Sequence, residues 1–244
     1  MTSPASLQPV DESWQRGLAI VAHPDDLEFG TAAAIARWTA QGKDITYVLL
    51  TSGEAGIDGM DPAEAAPARE QEQRASAAIV GVKEVDFLGL PDGVLEYGVP
   101  LRRELARVIR THRPEIIITN NFRESWDEAG QALNMSDHIV TGRSVLDAAR
   151  DAANRWIFRD QDLEKWSTRQ VWAAGSPRAT HGVDTTETFG LGVRSLEAHA
   201  AYLNGLTSGS FDAEEFLEGF SRQAGTRLGV RYGASFEVFN LGLL

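Results

Sequence analysis

The sequence contains no cysteine, which excludes disulfide bonds and thiolate metal sites throughout its 244 residues. It also has no run of about 20 apolar residues, the length that a transmembrane helix needs. The N-terminus lacks the order of a signal peptide, in which basic residues precede an apolar stretch. These absences are typical of a protein from a reducing compartment, and we expect a cytoplasmic location.

Basic residues are scarce beside acidic ones. The chain has 23 lysines and arginines against 35 aspartates and glutamates, a formal net charge of −12 at pH 7. Such a charge opposes binding to a nucleic-acid backbone or an anionic membrane, so we expect neither as a partner. Divalent cations and neutral small molecules are compatible with it, and assembly into a homo-oligomer stays open.

Short apolar runs alternate with helical patterns over the first two thirds of the chain. Residues 18–22, 45–50, 85–88 and 115–119 are short, aliphatic or β-branched, and bounded by turn residues, which predicts buried strands. This alternation predicts an α/β fold, a three-layer αβα Rossmann-like domain with a mostly parallel sheet. In such sheets, ligands bind beyond the carboxyl ends of the strands.

The length of the chain fits a single domain over residues 1–244. Residues 1–14 are largely polar and contain two prolines, so we interpret them as a loose leader. Residues 155–244 form a C-terminal part that we expect to complete the site, and residues 235–239 alternate like a final strand.

The most informative segment follows the first predicted strand and reads His23-Pro24-Asp25-Asp26-Leu27-Glu28. A histidine and an aspartate three residues apart at a strand end can turn toward one point, and Pro24 restricts the backbone between them. Three acidic residues this close repel one another unless a cation lies among them. The alternative is that Asp25 and Asp26 cap a helix beginning near Leu27.

A second histidine follows the fourth predicted strand, after a polar loop that ends in Ser136-Asp137-His138. Ser136 is a candidate N-cap, which places His138 in the first helical turn, at the same sheet edge as His23. Two histidines and one carboxylate are typical of a catalytic zinc site, and also of the facial triad of non-haem iron enzymes. A capping or solvent-facing His138 is the alternative.

The ordered motifs of the chain resemble those of the PIG-L/LmbE-like deacetylases. Residues 23–28 match the AHPDDxE signature of that family. The resemblance extends from about residue 18 to residue 239, through segments at 51–56, 69–72, 88–93, 137–138 and 196–199. It implies a hydrolase that removes an N-acetyl or other N-acyl group from an amino-sugar-like small molecule, such as a sugar conjugate.

The resemblance also implies roles for individual residues. His23, Asp26 and His138 would bind Zn2+, and Asp25 would be the general base. A zinc-bound water has a pKa of about 7, so a neighbouring carboxylate can take its proton. Two consecutive aspartates can divide these roles only if their side chains diverge.

Three more residues are implied to contact the substrate: Glu54, Arg69 and Asp92. Arg69 and Asp92 each have an ordinary structural alternative. Arg69 could belong to an ion-pair network on a helix, and Asp92 could be a turn residue before Gly93.

The chain departs from the family at Met135, where the family carries a histidine that assists the oxyanion or the departing amine. A methionine side chain cannot donate a proton or carry positive charge. Among the other histidines we favour His181 as the catalytic replacement, with Asp25 as sole proton carrier the alternative.

Three hypotheses about function therefore stand after the sequence is read. The first is the zinc-dependent N-deacetylase. The second is a non-haem iron enzyme that uses the same two histidines and carboxylate. The third is a non-catalytic member of the fold that binds a metal or a sugar, which the methionine at position 135 favours.

Overall fold

One sheet organises the part of the chain that the computed structural model describes, residues 5–206 and 211–242. Its strands run in the order β1-β7-β8-β6-β5-β2-β3-β4. Their bounds are β1 Gln8–Pro9, β2 Arg16–Val21, β3 Asp44–Leu49, β4 Glu84–Phe87, β5 Ile116–Asn120, β6 Gln170–Ala174, β7 His181–Asp184 and β8 Gly233–Asn240. Only β8 runs antiparallel to its neighbours, β6 and β7. The four predicted strands correspond to β2–β5, with ends shifted by one or two residues.

Helices cover both faces of this sheet. Their bounds are α1 Ala32–Ala40, α2 Pro62–Ile79, α3 Val99–His112, α4 Ser136–Ala153, α5 Phe189–Glu197, α6 Ala200–Leu206 and α7 Ala213–Leu228, with a 3-10 turn at Arg159–Gln161. None of these described helices has the length and apolar character of a membrane span.

The hydrophobic core is divided by the sheet into two layers. Along β2, Ala19 and Val21 pack with α1 on one face, while Leu18 and Ile20 pack with α3 and α4 on the other. Both faces of the strand are buried because successive side chains point to opposite sides and helices cover each side. The three-layer αβα fold with a mostly parallel sheet is confirmed.

The residues that precede β2 are packed against the sheet, so the expectation of a loose leader is wrong for residues 5–14. The strand β1 pairs with β7, and Leu7, Val10 and Trp14 are buried. The Trp14 ring meets Trp38 edge-on, with 5.5 Å between ring centroids. The sequence did not show this because the burial comes from pairing with β7 and packing against Trp38, which are contacts between segments far apart in the chain. Residues 1–4 lie outside the described residues.

The packing of the leader segment predicts a large stability loss for Trp14→Ala. Removing a fully buried tryptophan leaves a cavity and lowers the free energy of unfolding by about 3–5 kcal/mol. Trp156 is 67% exposed and provides the matched control, for which we expect a change within about 0.5 kcal/mol. Urea unfolding of both variants measures the difference. Equal midpoints would contradict the packed arrangement of residues 5–14.

Candidate active site

The loop after β2 adopts a backbone conformation that few residues other than glycine adopt. Asp25 has φ +82°, in the left-handed region. Two side chains from α2 hold this conformation: the Gln73 Oε1 accepts a 2.8 Å hydrogen bond from the Asp25 backbone N–H, and the Arg69 guanidinium donates to the Pro24 carbonyl at 2.7 Å. The strained residue is therefore fixed by packed neighbours.

The consequence of this backbone conformation is that two consecutive aspartates point to different partners. Asp25 Oδ2 accepts a 2.6 Å hydrogen bond from Arg69. Asp26 Oδ2 accepts from the His23 backbone N–H at 2.8 Å, and its Oδ1 lies 2.9 Å from His138 Nε2. Neither aspartate caps α1, because that helix begins only at Ala32, so the capping alternative is wrong.

The hydrogen bond made by Nδ1 of His138 shows which ring nitrogen carries the proton. Nδ1 lies 3.0 Å from Asn134 Oδ1. The Asn134 Nδ2 donates to the carbonyls of Asn121 and Arg123, which fixes Oδ1 as the acceptor facing His138. Nδ1 therefore carries a hydrogen, and the neutral form of the ring presents a lone pair at Nε2 toward Asp26.

His23 is held in the same manner by carboxylates. Its Nε2 lies 3.0 Å from Asp92 and 3.3 Å from Asp137, and since ionised carboxylates only accept, Nε2 carries the hydrogen. The other nitrogen, Nδ1, lies 3.7 Å from Asp26 Oδ1. Burial opposes it, yet hydrogen bonds to Asp137, Asp26 and Asp92 raise the pKa of His23 to about 12.

This arrangement fits a divalent metal ion. A single carboxylate oxygen, Asp26 Oδ1, is faced by one nitrogen from each of His23 and His138. Without a metal, the protonated His23 ring has a hydrogen on Nδ1 facing this carboxylate. A metal ion would take the place of that proton, because histidine binds a metal in its neutral form. Donor atoms from these three residues lie within 4.8 Å of one another, and two imidazoles with a carboxylate are a donor set that zinc prefers.

A second group of possible donors shares one histidine with the first. It comprises His23, Asp92 and Asp137. Its carboxylates are already engaged by backbone donors: Ala55 N–H reaches Asp92 at 2.8 Å, and Gly93 N–H reaches Asp137 at 2.8 Å. We therefore assign them to orienting the imidazole of His23, as carboxylates commonly do for metal-binding histidines.

Glu54 acts on the loop that carries Asp92. Its carboxylate accepts a 2.9 Å hydrogen bond from the Asp92 backbone N–H, and it is not among the residues that line the cavity. In the structure Glu54 thus positions a neighbouring residue, and its contact with substrate stays a prediction.

Arg69 joins the loops after β2 and β3. Its guanidinium is buried and donates to the Gly53 carbonyl at 2.7 Å, in addition to Pro24 and Asp25. A Cβ at Gly53 would lie 2.2 Å from Arg69 Nη1, so only glycine leaves room for this contact. The ring of Tyr202, from α6, stacks on the guanidinium at 4.1 Å. Arg69 lines the cavity and braces it as well.

These residues surround a cavity of about 210 Å³ at the carboxyl ends of β2 and β5. Burial raises the pKa of the Asp25 carboxyl here to about 7, against the opposing effect of Arg69.

The wall of the cavity contains most of the residues that the sequence singled out: His23, Asp25, Asp26, Arg69, Asp92, Met135 and His138. Those that sequence reasoning missed are Phe29, Gly56, Asn120, Trp126 and Tyr202. For Asn120 a signal existed, since it directly follows a predicted strand at this edge.

His181 lies outside this cavity, so its prediction as the replacement acid is wrong. It begins β7, which β8, β6 and β5 separate from β2. Four strand spacings of about 4.8 Å place it roughly 19 Å from β2. Its Nδ1 is 2.8 Å from the Thr180 hydroxyl. The order of the strands, which the sequence does not show, causes the separation.

Met135, unlike His181, lines the cavity. It is the N-cap of α4, a position that we had expected Ser136 to occupy.

A larger cleft of about 680 Å³ borders Arg123, Arg143 and Arg178. None of the residues that line it belongs to the metal donor sets. The chemistry therefore belongs to the smaller cavity.

Comparison with known proteins supplies the family. The model of a family described as PIG-L, GlcNAc-PI de-N-acetylase, matches residues 18–149, which is more than half of the chain. The chain belongs to the PIG-L family. The matched region contains all three residues of the first donor set, together with Asp25, Arg69 and Asp92.

Curated relatives of this PIG-L chain are named as deacetylases. A diacetylchitobiose deacetylase of Thermococcus kodakarensis is 40% identical over 103 residues, 41% of this chain and 39% of that protein. A 1D-myo-inositol 2-acetamido-2-deoxy-alpha-D-glucopyranoside deacetylase of Thermobifida fusca is 30% identical over 195 residues, 67% of this chain and 63% of that protein. The chain thus spans less than two thirds of the length of these relatives.

A solved structure shares the fold over nearly the whole chain. The N,N'-diacetylchitobiose deacetylase from Pyrococcus horikoshii superposes with a TM-score of 0.83 at 22% identity, covering 94% of this chain and 85% of the other. At this identity the match supports the architecture, including the C-terminal strands beyond residue 149.

The geometry predicts which histidines bind zinc. His138→Gln should weaken zinc binding by more than the ~10–100-fold that loss of an outer hydrogen-bond partner causes, because a direct ligand is removed. His181→Gln is the matched control and should bind zinc like the wild type. Competition with a chromophoric chelator measures both affinities. Unchanged zinc affinity in His138→Gln, or an equal loss in His181→Gln, would contradict the assigned donor set.

Proposed function

We propose that this protein is a zinc-dependent N-deacetylase that hydrolyses the acetamide of an amino-sugar-like molecule. The observation that carries the proposal is the divergence of Asp25 and Asp26 within one cavity. Asp26 faces the two histidines, while Asp25 is turned to Arg69. One carboxylate is thus available to a metal and the other to a proton, as amide hydrolysis requires.

His23, Asp26 and His138 would hold the zinc ion. Zinc in this set supplies Lewis acidity toward the amide carbonyl and toward the attacking water. Asp92, Asp137 and the Asn134 side chain orient the two imidazoles through their outer nitrogens.

Asp25 would take the proton of the attacking water as the new C–O bond forms. Its pKa of about 7 suits both acceptance and return of a proton near neutral pH. The same carboxyl then protonates the amine nitrogen as the C–N bond breaks, which yields acetate and the free amine. With His181 outside the cavity and a methionine at position 135, Asp25 carries both proton transfers in this proposal.

The family and the cavity both support this substrate class. The relatives named above are deacetylases of N-acetylated sugars. A volume of about 210 Å³ is below the ~300–1,000 Å³ of clefts for drug-sized ligands, so it suits an acetamide and part of one ring. Phe29, Trp126 and Tyr202 provide aromatic surface at its wall, on which a sugar ring can stack.

Neither alternative has an observation of equal weight. No feature of the described residues favours iron over zinc, whereas the buried Asp25 is a group that hydrolysis uses. A non-catalytic member would bind an N-acetylated sugar without turnover.

The proposal is tested with zinc-loaded protein and a panel of N-acetylated amino sugars. We expect the protein to release free amine and acetate in equal amounts. No release from any of these sugars would contradict the proposal.

The two adjacent aspartates should fail in different ways. Asp25→Asn should keep zinc and lose about 10²–10⁴ in kcat, because only the proton carrier is lost. Asp26→Asn should weaken zinc binding, since a ligand is lost. Asp162→Asn, an exposed position, is the matched control for the amide substitution. Metal content and amine release are measured on all three variants. Zinc loss in Asp25→Asn with retention in Asp26→Asn would reverse the two roles.

A further inference from the structure

We propose that the Asn120 carboxamide stabilises the tetrahedral oxyanion of the reaction by donating a hydrogen bond from Nδ2. This inference rests on the proposed function. It assigns the last residue of β5 to the catalytic machinery, and it offers a polar donor to a cavity that lacks the family's histidine.

The orientation of the carboxamide is set by the neighbouring strand. The Ala22 backbone N–H donates to Asn120 Oδ1 at 3.2 Å, which fixes the oxygen as the acceptor. The other terminal atom of the carboxamide is therefore Nδ2, which carries two hydrogens. Among the described residues, the Asn120 side chain forms the hydrogen bond to its oxygen and none from Nδ2 to a protein acceptor.

The position of the side chain fits the role. Asn120 is 6% exposed and lines the cavity together with His23 and His138. It is the last residue of β5, a parallel strand paired with β2, so the sheet holds its backbone in place. A preorganised donor in a site that excludes water stabilises developing charge more than the same donor in water.

Other polar groups on the cavity wall suit this role less well. The Arg69 guanidinium already donates to Gly53, Pro24 and Asp25. Met135 has no hydrogen to donate. Burial, and secondarily the Asp25 charge, raises the pKa of the Tyr202 phenol, which makes its hydroxyl a weaker acid. Tyr202→Phe is nevertheless included in the test below.

A purely structural role is the competing explanation, because the Asn120 oxygen satisfies the Ala22 N–H where β2 and β5 separate. Asn120→Asp distinguishes the two. The aspartate keeps an oxygen for Ala22 and loses the Nδ2 donor. Asn120→Ala loses both groups and adds no charge, and Asn204→Asp, on the exposed surface of α6, is the matched control for the added charge.

The test combines turnover with binding of a tetrahedral phosphonate analogue, measured on zinc-loaded protein. We expect Asn120→Asp and Asn120→Ala to lose about 10²–10³ in kcat and a similar factor in analogue affinity. Zinc content, KM and the affinity for the amine product should stay within about threefold of the wild type, and Asn204→Asp should match the wild type in every measurement.

Near-wild-type kcat and analogue affinity in Asn120→Asp would overturn the proposal and leave the structural role. A loss of analogue affinity in Tyr202→Phe, without one in either Asn120 variant, would overturn it in favour of the phenol. If the wild type itself releases no amine from any N-acetylated sugar, the proposed function fails, and the inference fails with it. Turnover by the wild type that survives loss of the Asn120 carboxamide refutes the inference alone.

Discussion

One oxygen atom, Oδ1 of Asp26, is faced by a nitrogen from each of two histidines, and the rest of the site is arranged around that meeting point. The outer nitrogens of both rings are committed to acceptors: Asn134 for His138, and Asp92 with Asp137 for His23. The inner nitrogens therefore present lone pairs to a carboxylate when the rings are neutral. Without a metal, protonated His23 supplies the positive charge beside this carboxylate; a bound divalent metal would replace that proton with a cation that all three groups can ligate.

The sheet places these groups together because it brings segments that are far apart in the sequence to one edge. His23 follows β2, while His138 lies in the first turn of α4, which the chain reaches through the loop after β5. Because β2 and β5 are parallel neighbours, both segments begin at the same edge. The left-handed conformation of Asp25 then separates its carboxylate from that of Asp26, and Arg69 fixes it there. Two adjacent residues acquire different chemistry because the backbone turns their side chains toward different partners.

Much of the fold and of the donor set could be predicted from local patterns. Buried parallel strands are short continuous apolar runs, so β2–β5 were located to within one or two residues. His23 directly follows a predicted strand, and His138 begins the helix reached through the loop after the fourth predicted strand, so both are expected at one edge of the sheet. The family signature that residues 23–28 resemble implies a separate role for Asp25, which stays a prediction.

The remaining features depend on contacts between segments far apart in the sequence. His181 looked available because its distance from the site is set by the order β7-β8-β6-β5-β2, which no local pattern contains. Trp14 was assigned to the loose leader because its burial comes from packing against Trp38 and Trp172, which are far away in the sequence. The orientation of the Asn120 amide depends on one hydrogen bond from Ala22, across to the next strand.

Anomalous diffraction at the zinc edge, from crystals grown with one equivalent of zinc, tests the central assignment most directly. The predicted result is a single peak between His23 Nδ1, Asp26 and His138 Nε2, at the ~2.0–2.2 Å that zinc keeps from nitrogen and oxygen ligands. A peak on the opposite side of the His23 ring, between Asp92 and Asp137, or no peak at either place, would contradict it.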